Sequence, residues 1–235
     1  MFGTNPIRKQ ELSEDGSLAV TEMFDTIQGE GPNAGRRAIF IRLMGCNLQC
    51  SFCDTDFESG KLQSLADIEK QLDQLPRRSL YVVTGGEPFR QNIIPLVNML
   101  LAPGVTVQIE TAGTLWLDNF PPRTEIVVSP KTGKINPNIA YAAIAWKYII
   151  QAGHTDPIDG LPTQSPQTGA ALRIARPRYT VHDKTIVVPH DRVYLQPCDD
   201  HDPVKNQRNV REVIRLSEKF GYRISLQLHK ILNLP

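Results

Sequence analysis

The sequence has almost no excess of charge and no long hydrophobic run. Among its 235 residues there are 26 Lys and Arg and 25 Asp and Glu, which gives a net charge of +1. Proteins that bind nucleic acid through bulk charge carry a large basic excess, so we expect no direct nucleic-acid partner. No segment approaches the roughly 20 apolar residues of a membrane helix, and residues 1–17 lack the apolar centre of a signal peptide. We therefore expect a cytoplasmic protein that does not contact a membrane.

Cysteine is scarce too, and its distribution is uneven. The chain has 4 cysteines, Cys46, Cys50, Cys53 and Cys198, and the first three share one short segment. Disulfides between such close neighbours close very small loops and stabilise little. Apolar residues make up 40% of the chain, enough for a core that needs no covalent crosslinks. In a reducing compartment, clustered thiols indicate a metal site more often than a crosslink.

The rest of the pattern predicts one α/β domain over residues 1–235. Short runs rich in Val and Ile alternate with segments of helical periodicity. This alternation is typical of a parallel sheet whose functional loops follow the carboxyl ends of the strands. The predicted strands are 38–43, 80–83, 105–109, 125–128, 145–150, 192–195 and a terminal strand near 224–228. About six parallel strands are too few for a complete eight-stranded barrel.

Helix signals place the remaining elements. Ser64 has the pattern of an N-cap, 93–101 is mostly apolar helix, and a last long helix ends at Gly221. Residues 129–137 have loop composition, so the helix expected after the fourth strand is predicted to be missing. Residues 152–190 break the alternation and contain several prolines, which predicts a loop-rich insertion.

The cysteine segment at 46–53 has the pattern C-x3-C-x2-C. Three thiolates in one loop can face one metal centre, whereas a structural zinc site or a fully ligated cluster needs four ligands. Two interpretations stay open on the loop alone. One is an iron–sulfur cluster with an iron that the protein does not ligate, and the other is a zinc site completed by a distant His or by Cys198.

The surroundings of the cysteines resemble a known superfamily. The spacing, with Phe52 before the last cysteine, resembles the signature of radical S-adenosylmethionine enzymes, and TGGEP at 84–88 resembles their GGE motif. The resemblance implies a 4Fe-4S cluster held by Cys46, Cys50 and Cys53, whose open iron binds S-adenosylmethionine. It also implies the fold of that superfamily, a partial TIM-like barrel. Cys198 is then not a fourth ligand, because a fourth thiolate would block the open iron.

Further motifs resemble one family, the 7-carboxy-7-deazaguanine synthases. The matching segments are FDTIQGEG at 24–31, Arg42, CDT at 53–55, ETAGT at 110–114, SPK at 129–131, LQP at 195–197 and HKILNLP at 229–235. The resemblance implies a lyase that converts 6-carboxy-5,6,7,8-tetrahydropterin to 7-carboxy-7-deazaguanine with release of ammonia, in the biosynthesis of queuosine and other 7-deazapurines. It implies no catalytic side chain, because the cofactor supplies the radical chemistry.

The resemblance also implies roles for individual residues. The implied contacts to S-adenosylmethionine are Phe52, Asp54, Gly86, Ser129, Pro130, Lys131 and Gln196. The implied contacts to the pterin substrate are Ile27, Gln28, Gly29, Glu30, Arg42, Thr84, His229 and Pro235. Thr55 matches a Mg2+ contact, and substrate and water would supply the other ligands, because Mg2+ usually keeps several waters.

The remaining implications concern partners and alternatives. The resemblance implies an electron donor such as flavodoxin or ferredoxin, and a homodimer. For single residues, Arg42 could instead form a strand-edge ion pair, Thr55 could cap a turn, and His229 could be structural. For the whole chain, the alternatives are a glycyl-radical activating enzyme, which shares the three-cysteine loop, and a zinc interaction module with three cysteines.

Overall fold

The structure, a computed structural model, describes residues 5–53, 59–167 and 173–235. Within these ranges the chain forms eleven strands and five α-helices. The strands are β1 (Leu18–Ile27), β2 (Arg37–Leu43), β3 (Lys61–Gln63), β4 (Leu80–Gly85), β5 (Thr106–Thr111), β6 (Glu125–Val128), β7 (Ala143–Ile150), β8 (Arg178–Val181), β9 (Lys184–Val187), β10 (Val193–Pro197) and β11 (Arg223–Ile224). The helices are α1 (Leu65–Leu72), α2 (Ile94–Leu100), α3 (Pro137–Ala142), α4 (Pro203–Phe220) and α5 (Leu228–Leu232).

Nine of the described strands form one sheet, in the order β11-β10-β7-β6-β5-β4-β2-β1-β3. All neighbouring pairs from β2 to β11 are parallel, whereas β1 is antiparallel to both β2 and β3. The sheet has two edges, β3 and β11, and does not close on itself. Six parallel strands of four or more residues, followed by the two-residue β11, confirm the predicted α/β class and incomplete barrel.

Alternation along the strands separates the main core from the functional face. Side chains at successive strand positions point to opposite faces of a sheet. Ile41, Val83 and Ile109 belong to the main apolar core, beneath the helices. Val82, next to Val83, and Val127, next to Val128 of the main core, belong to smaller apolar clusters on the opposite face. This second face also carries the polar side chains described below.

Strand β1 is absent from the sequence prediction. It pairs with β2 over most of its length, and Phe24 lies opposite Phe40 while Ile27 lies opposite Arg37. The FDTI motif at 24–27 therefore ends a strand. The pattern is weak because β1 mixes polar and apolar residues and only part of it is buried.

The predicted helices are present, but two further helices were not predicted. One is α5, because the predicted strand near 224–228 is only the two-residue β11 and a helix begins at Leu228. Ser64 caps α1 by accepting a hydrogen bond from the backbone N–H of Asp67. The prediction that no helix follows β6 is wrong, because Asn136 caps the six-residue helix α3 between β6 and β7. The connection without a helix lies one step earlier, at the described residues 112–124 between β5 and β6. No helix in the described ranges combines the length and the apolar composition needed to cross a membrane.

The described parts of the predicted insertion, 152–167 and 173–190, consist of loops and the β8–β9 hairpin. Polar contacts between these two parts hold the segment together. Arg176 is 10% exposed and pairs with Asp159 at 2.7 Å. It also donates to the carbonyl oxygens of Pro162 and Ile174. The guanidinium is therefore part of the structure of this segment and not of a solvated face.

Candidate active site

A cavity of about 400 Å³ opens at the carboxyl ends of the parallel strands. This is the position at which parallel α/β folds usually bind their ligands. The predicted site residues that line it are Ile27, Gln28, Glu30, Arg42, Cys46, Cys50, Phe52, Cys53, Thr84, Gly86, Ser129, Lys131, Gln196, His229 and Pro235. The fold thus brings residues from both ends of the chain and from seven intervening segments to one cavity.

Of the other four predicted residues, two are placed differently and two are not described. Pro130 lines a smaller neighbouring cavity of about 100 Å³, which shares Phe52 and Lys131 with the main one. Gly29 lies directly beneath the imidazole of His229, since a Cβ built on it would be 2.2 Å from Nδ1. Asp54 and Thr55 lie outside the described residues.

The three clustered cysteines line the cavity, and none of the four cysteines of the chain is in a disulfide bond. Within the described residues, no group of three or more His, Cys, Asp or Glu side chains is placed to hold a single metal ion. Burial raises the pKa of the Cys46 thiol to about 12 and also raises that of Cys50. Coordination overcomes such a rise, because a bound metal deprotonates a thiol outright.

Glycines let the loop after β4 approach the cysteine loop closely. A Cβ on Gly86 would lie 1.9 Å from the carbonyl oxygen of Gly45, the residue before Cys46. Gly85 has a φ of +122° and would place a Cβ 2.2 Å from the carbonyl oxygen of Leu43. Only glycine fits these two positions. The backbone of these two glycines therefore packs directly against the chain that leads into Cys46.

Two polar side chains near the cysteines have features of a ligand site. Gln196 is 5% exposed, and its Oε1 has no hydrogen-bond partner among the described residues. A buried unsatisfied amide oxygen is costly unless a ligand or water donates to it. Burial lowers the pKa of Lys131, and the nearby Cys50 opposes that change. The Nζ of Lys131 donates to the carbonyl oxygen of Ser129 at 2.9 Å.

Glu30 is the centre of a buried network that joins four segments. Lys147 on β7 forms an ion pair with its Oε2. Gln196 on β10 and Gln227 before α5 donate to its Oε1 at 3.1 and 3.0 Å. Burial alone would raise the pKa of Glu30, but Lys147 and Gln227 more than offset it, so the pKa is lowered. The carboxylate is therefore charged and already satisfied by the protein.

A second network connects the predicted substrate residues to β5. Gln28 accepts from the backbone N–H of Glu30 at 3.0 Å and donates to Glu110 Oε1 at 2.9 Å. Thr84 donates to the other oxygen of Glu110 at 3.2 Å. These contacts fix the orientation of all three side chains at the wall of the cavity.

Arg42 lies on β2, where its register partner on β4 is Thr84. Its Nη1 forms an ion pair with Glu22 Oε1 at 2.8 Å, and its guanidinium lies over the ring of Phe24 with 5.4 Å to the centroid. The ion pair that the sequence left as an alternative is therefore present. It coexists with a position in the cavity wall, because Arg42 and Phe24 both line the cavity.

The end of the chain closes another side of the cavity. The backbone N–H of Leu228 donates to the carbonyl oxygen of Gly29 at 3.2 Å. Thr26 on β1 donates to the carbonyl oxygen of Pro235 at 3.2 Å. His229 and Pro235 are thereby held against the end of β1.

The polar residues of the cavity to which the sequence assigned no role include Lys147, Glu110 and Gln227. Lys147 had a detectable signal, because it is the one charged residue in an apolar run predicted to be a buried strand. Glu110 follows such a run directly. Gln227 had no signal of its own, since its role depends on Glu30, which is distant in sequence.

No model of a known protein family matches the chain. The 7-carboxy-7-deazaguanine synthase of Rhodospirillum rubrum is 44% identical, with all of both chains aligned. The synthases of the same name from Hyperthermus butylicus and Rickettsia prowazekii are 42% and 38% identical, over 97% and 100% of this chain and 98% and 96% of their own.

A solved structure agrees with these relatives. The crystal structure of QueE from Escherichia coli superposes with a TM-score of 0.66 at 26% identity, and the alignment covers 90% of this chain and 94% of that one. The similarity covers most of the chain and is not restricted to the cysteine loop.

Proposed function

Because the chain belongs to the 7-carboxy-7-deazaguanine synthase family, we propose that its cavity converts 6-carboxy-5,6,7,8-tetrahydropterin to 7-carboxy-7-deazaguanine, with release of ammonia. The observation that carries this proposal is the single cavity, which collects three thiols, a buried unpaired amide oxygen and an arginine at the carboxyl ends of the strands. Fifteen of the nineteen residues expected from the sequence line it. The reaction belongs to the lyases.

The residues around the cysteines suit a 4Fe-4S cluster with bound S-adenosylmethionine. Cys46, Cys50 and Cys53 would hold the cluster. Because Gly86 has no Cβ, its backbone packs directly against Gly45 at the start of the cysteine loop, and the unpaired Oε1 of Gln196 is an acceptor for a ligand donor. When bound, the pair supplies a carbon-centred radical that abstracts a hydrogen atom from the substrate, and the protein contributes binding, orientation and exclusion of water.

The proposed substrate residues suit a carboxylated pterin. Arg42 has a planar fork of donors that matches the two oxygens of a carboxylate, and Glu22 binds only one of its nitrogens in the described structure. Carboxylate and amide oxygens of the wall accept hydrogen bonds from the ring N–H groups of a pterin. The Gln28–Glu110–Thr84 network holds that wall in one orientation before the substrate binds.

Three further parts of the proposal rest on the resemblance of the sequence. Thr55 would contact Mg2+, with substrate and water as the other ligands. A small electron-transfer protein, such as flavodoxin or ferredoxin, would reduce the cluster. The enzyme would act in the cytoplasm as a homodimer and supply 7-deazapurine biosynthesis, including that of queuosine.

Anaerobic turnover tests the proposed reaction. The purified protein, reconstituted with iron and sulfide, is incubated with S-adenosylmethionine, a reductant and the carboxypterin, and the product is followed by mass spectrometry. We expect 7-carboxy-7-deazaguanine and ammonia in equal amounts. A colourless protein with tightly bound zinc and no turnover would contradict the proposal. The relatives reported above give no support to a glycyl-radical activating enzyme or to a zinc module.

A further inference from the structure

The segment after β7 makes direct contact with the cysteine loop. The carbonyl oxygen of Pro166 accepts from the backbone N–H of Ser51 at 3.1 Å. Gln167 Oε1 accepts from the backbone N–H of Gln49 at 2.8 Å, and Gln167 Nε2 donates to Cys50 Sγ at 2.8 Å. Three hydrogen bonds from two consecutive residues thus reach three consecutive residues of the loop.

The orientation of the Gln167 amide follows from its partners. The backbone N–H of Gln49 can only donate, so the amide oxygen must face it. The amide nitrogen, which carries two hydrogens, is then left to face Cys50 Sγ. A flipped amide would place two donors against each other at Gln49 and an acceptor against a thiolate at Cys50.

Gln167 is presented by a segment that is fixed at two points. Ser165 Oγ donates to the carbonyl oxygen of Lys131 at 2.8 Å and accepts from the backbone N–H of Gln167 at 3.2 Å. Thr155, earlier in the same segment, donates to Glu212 on α4 at 2.7 Å. The segment therefore bridges α4 and the loop after β6 before it reaches the cysteines.

Resting on the proposed function, in which Cys50 ligates the cluster, we propose that Gln167 is a positioning residue that raises the reduction potential of the cluster. Reduction adds one electron from the donor protein, and part of the added charge resides on the ligating sulfurs. A hydrogen bond to such a sulfur stabilises the reduced state more than the oxidised state. The insertion thereby makes the cluster easier to reduce, although it contributes no ligand.

Two substitutions separate this role from simple anchoring. Gln167→Glu keeps an acceptor for Gln49 but replaces the donor at Cys50 by a negative charge. Gln167→Met has similar length and removes the donor without adding charge. Gln164→Glu is the matched control, since it adds the same charge to the same segment at a residue that lines the smaller cavity and makes no described hydrogen bond to Cys50.

The readouts are iron content and the midpoint potential from an anaerobic redox titration followed by electron paramagnetic resonance. We expect all three variants to hold as much iron as the wild type. The potential should be more negative in Gln167→Met, more negative still in Gln167→Glu, and unchanged in Gln164→Glu.

Other outcomes are equally informative. A wild-type potential in Gln167→Met would overturn the inference, because the donor would then have no effect. Loss of iron from both Gln167 variants would also overturn it, since Gln167 would then only anchor the loop. A wild-type protein that binds no iron would instead refute the proposed function on which the inference rests.

Discussion

Some polar side chains of the cavity are already hydrogen-bonded within the protein, whereas others have donor or acceptor atoms that a ligand could bind. Glu30 receives donors from Lys147, Gln196 and Gln227, so its carboxylate has little remaining capacity. Gln196 Oε1 has no partner in the described structure. Arg42 is intermediate, because Glu22 binds one of its nitrogens and the aromatic ring of Phe24 supports its plane.

Single substitutions at the cysteines test the ligand set. Cys46→Ala, Cys50→Ala and Cys53→Ala should each lose the cluster, whereas Cys198→Ala should keep it. Cys198 is 3% exposed, and its backbone N–H donates to Ile150, as expected of a residue in the wall. Iron and sulfide analysis of the four reconstituted variants decides the matter. A Cys198→Ala protein without iron would contradict the three-cysteine assignment.

The guanidinium fork of Arg42 is the feature that Arg42→Lys removes. The charge remains, but an ammonium cannot bind Glu22 and two oxygens of a substrate carboxylate in one plane. We expect KM for the carboxypterin to rise about tenfold, which corresponds to roughly 1.4 kcal/mol, with unchanged iron content. Arg37→Lys is the matched control, because Arg37 is on the same strand and pairs with Asp25 on the exposed side. Equal KM values in the two variants would show that Arg42 is only structural.

At the scale of strands and helices, the sequence predicted the elements whose pattern is local. The parallel strands are continuous apolar runs, and Ser64 and Gly221 mark helix ends by local chemistry. Strand β1 was not predicted, because it is a partly buried antiparallel strand with mixed composition. Helix α3 was not predicted, because it has only six residues, although Asn136 followed by Pro137 is a pattern typical of a helix start.

The ion pair between Lys147 on β7 and Glu30 after β1 connects two of these elements. Lys147→Met should destabilise the protein by about 3–5 kcal/mol, because it leaves a buried carboxylate without its cation. The double variant Lys147→Met/Glu30→Gln should recover part of that loss, since no buried charge remains. Urea unfolding at neutral pH measures both. A single variant as stable as the wild type would show that water or other groups solvate Glu30.

The same ion pair gives a pH dependence with a defined sign. The pKa of Glu30 is lowered in the folded protein. Its contribution to stability is therefore fully present above the unfolded pKa of about 4.3 and declines as the pH falls through the lower folded value. Glu30→Gln should lose this part of the acid destabilisation, which unfolding curves between neutral and acidic pH would detect. Identical pH profiles for wild type and variant would contradict the assignment.

For the molecule as a whole, the cavity depends on contacts that join the two ends of the chain. Thr26 reaches Pro235, and Gly29 contacts both Leu228 and His229. The family motifs assigned Gly29, His229 and Pro235 to the substrate, and that assignment stays a prediction. The sequence could not predict how these residues are held together, since no local pattern encodes a contact across some two hundred residues. Gln227 was missed for the same reason.

Gly29 provides a test of this closure by the end of the chain. Its backbone accepts alanine without strain, but the added Cβ would lie 2.2 Å from Nδ1 and 3.0 Å from the backbone nitrogen of His229. Gly29→Ala should therefore displace His229 and α5, raising KM for the carboxypterin at least about tenfold, with unchanged iron content and S-adenosylmethionine binding. Gly104→Ala is the control, because it has a φ of +77° and open space around it, so it should cost about 1 kcal/mol of stability and leave KM unchanged. The double variant Gly29→Ala/His229→Ala should regain part of the stability, since the clash with the imidazole ring is gone, but not substrate affinity. Wild-type KM in Gly29→Ala would show that the end of the chain does not position the substrate.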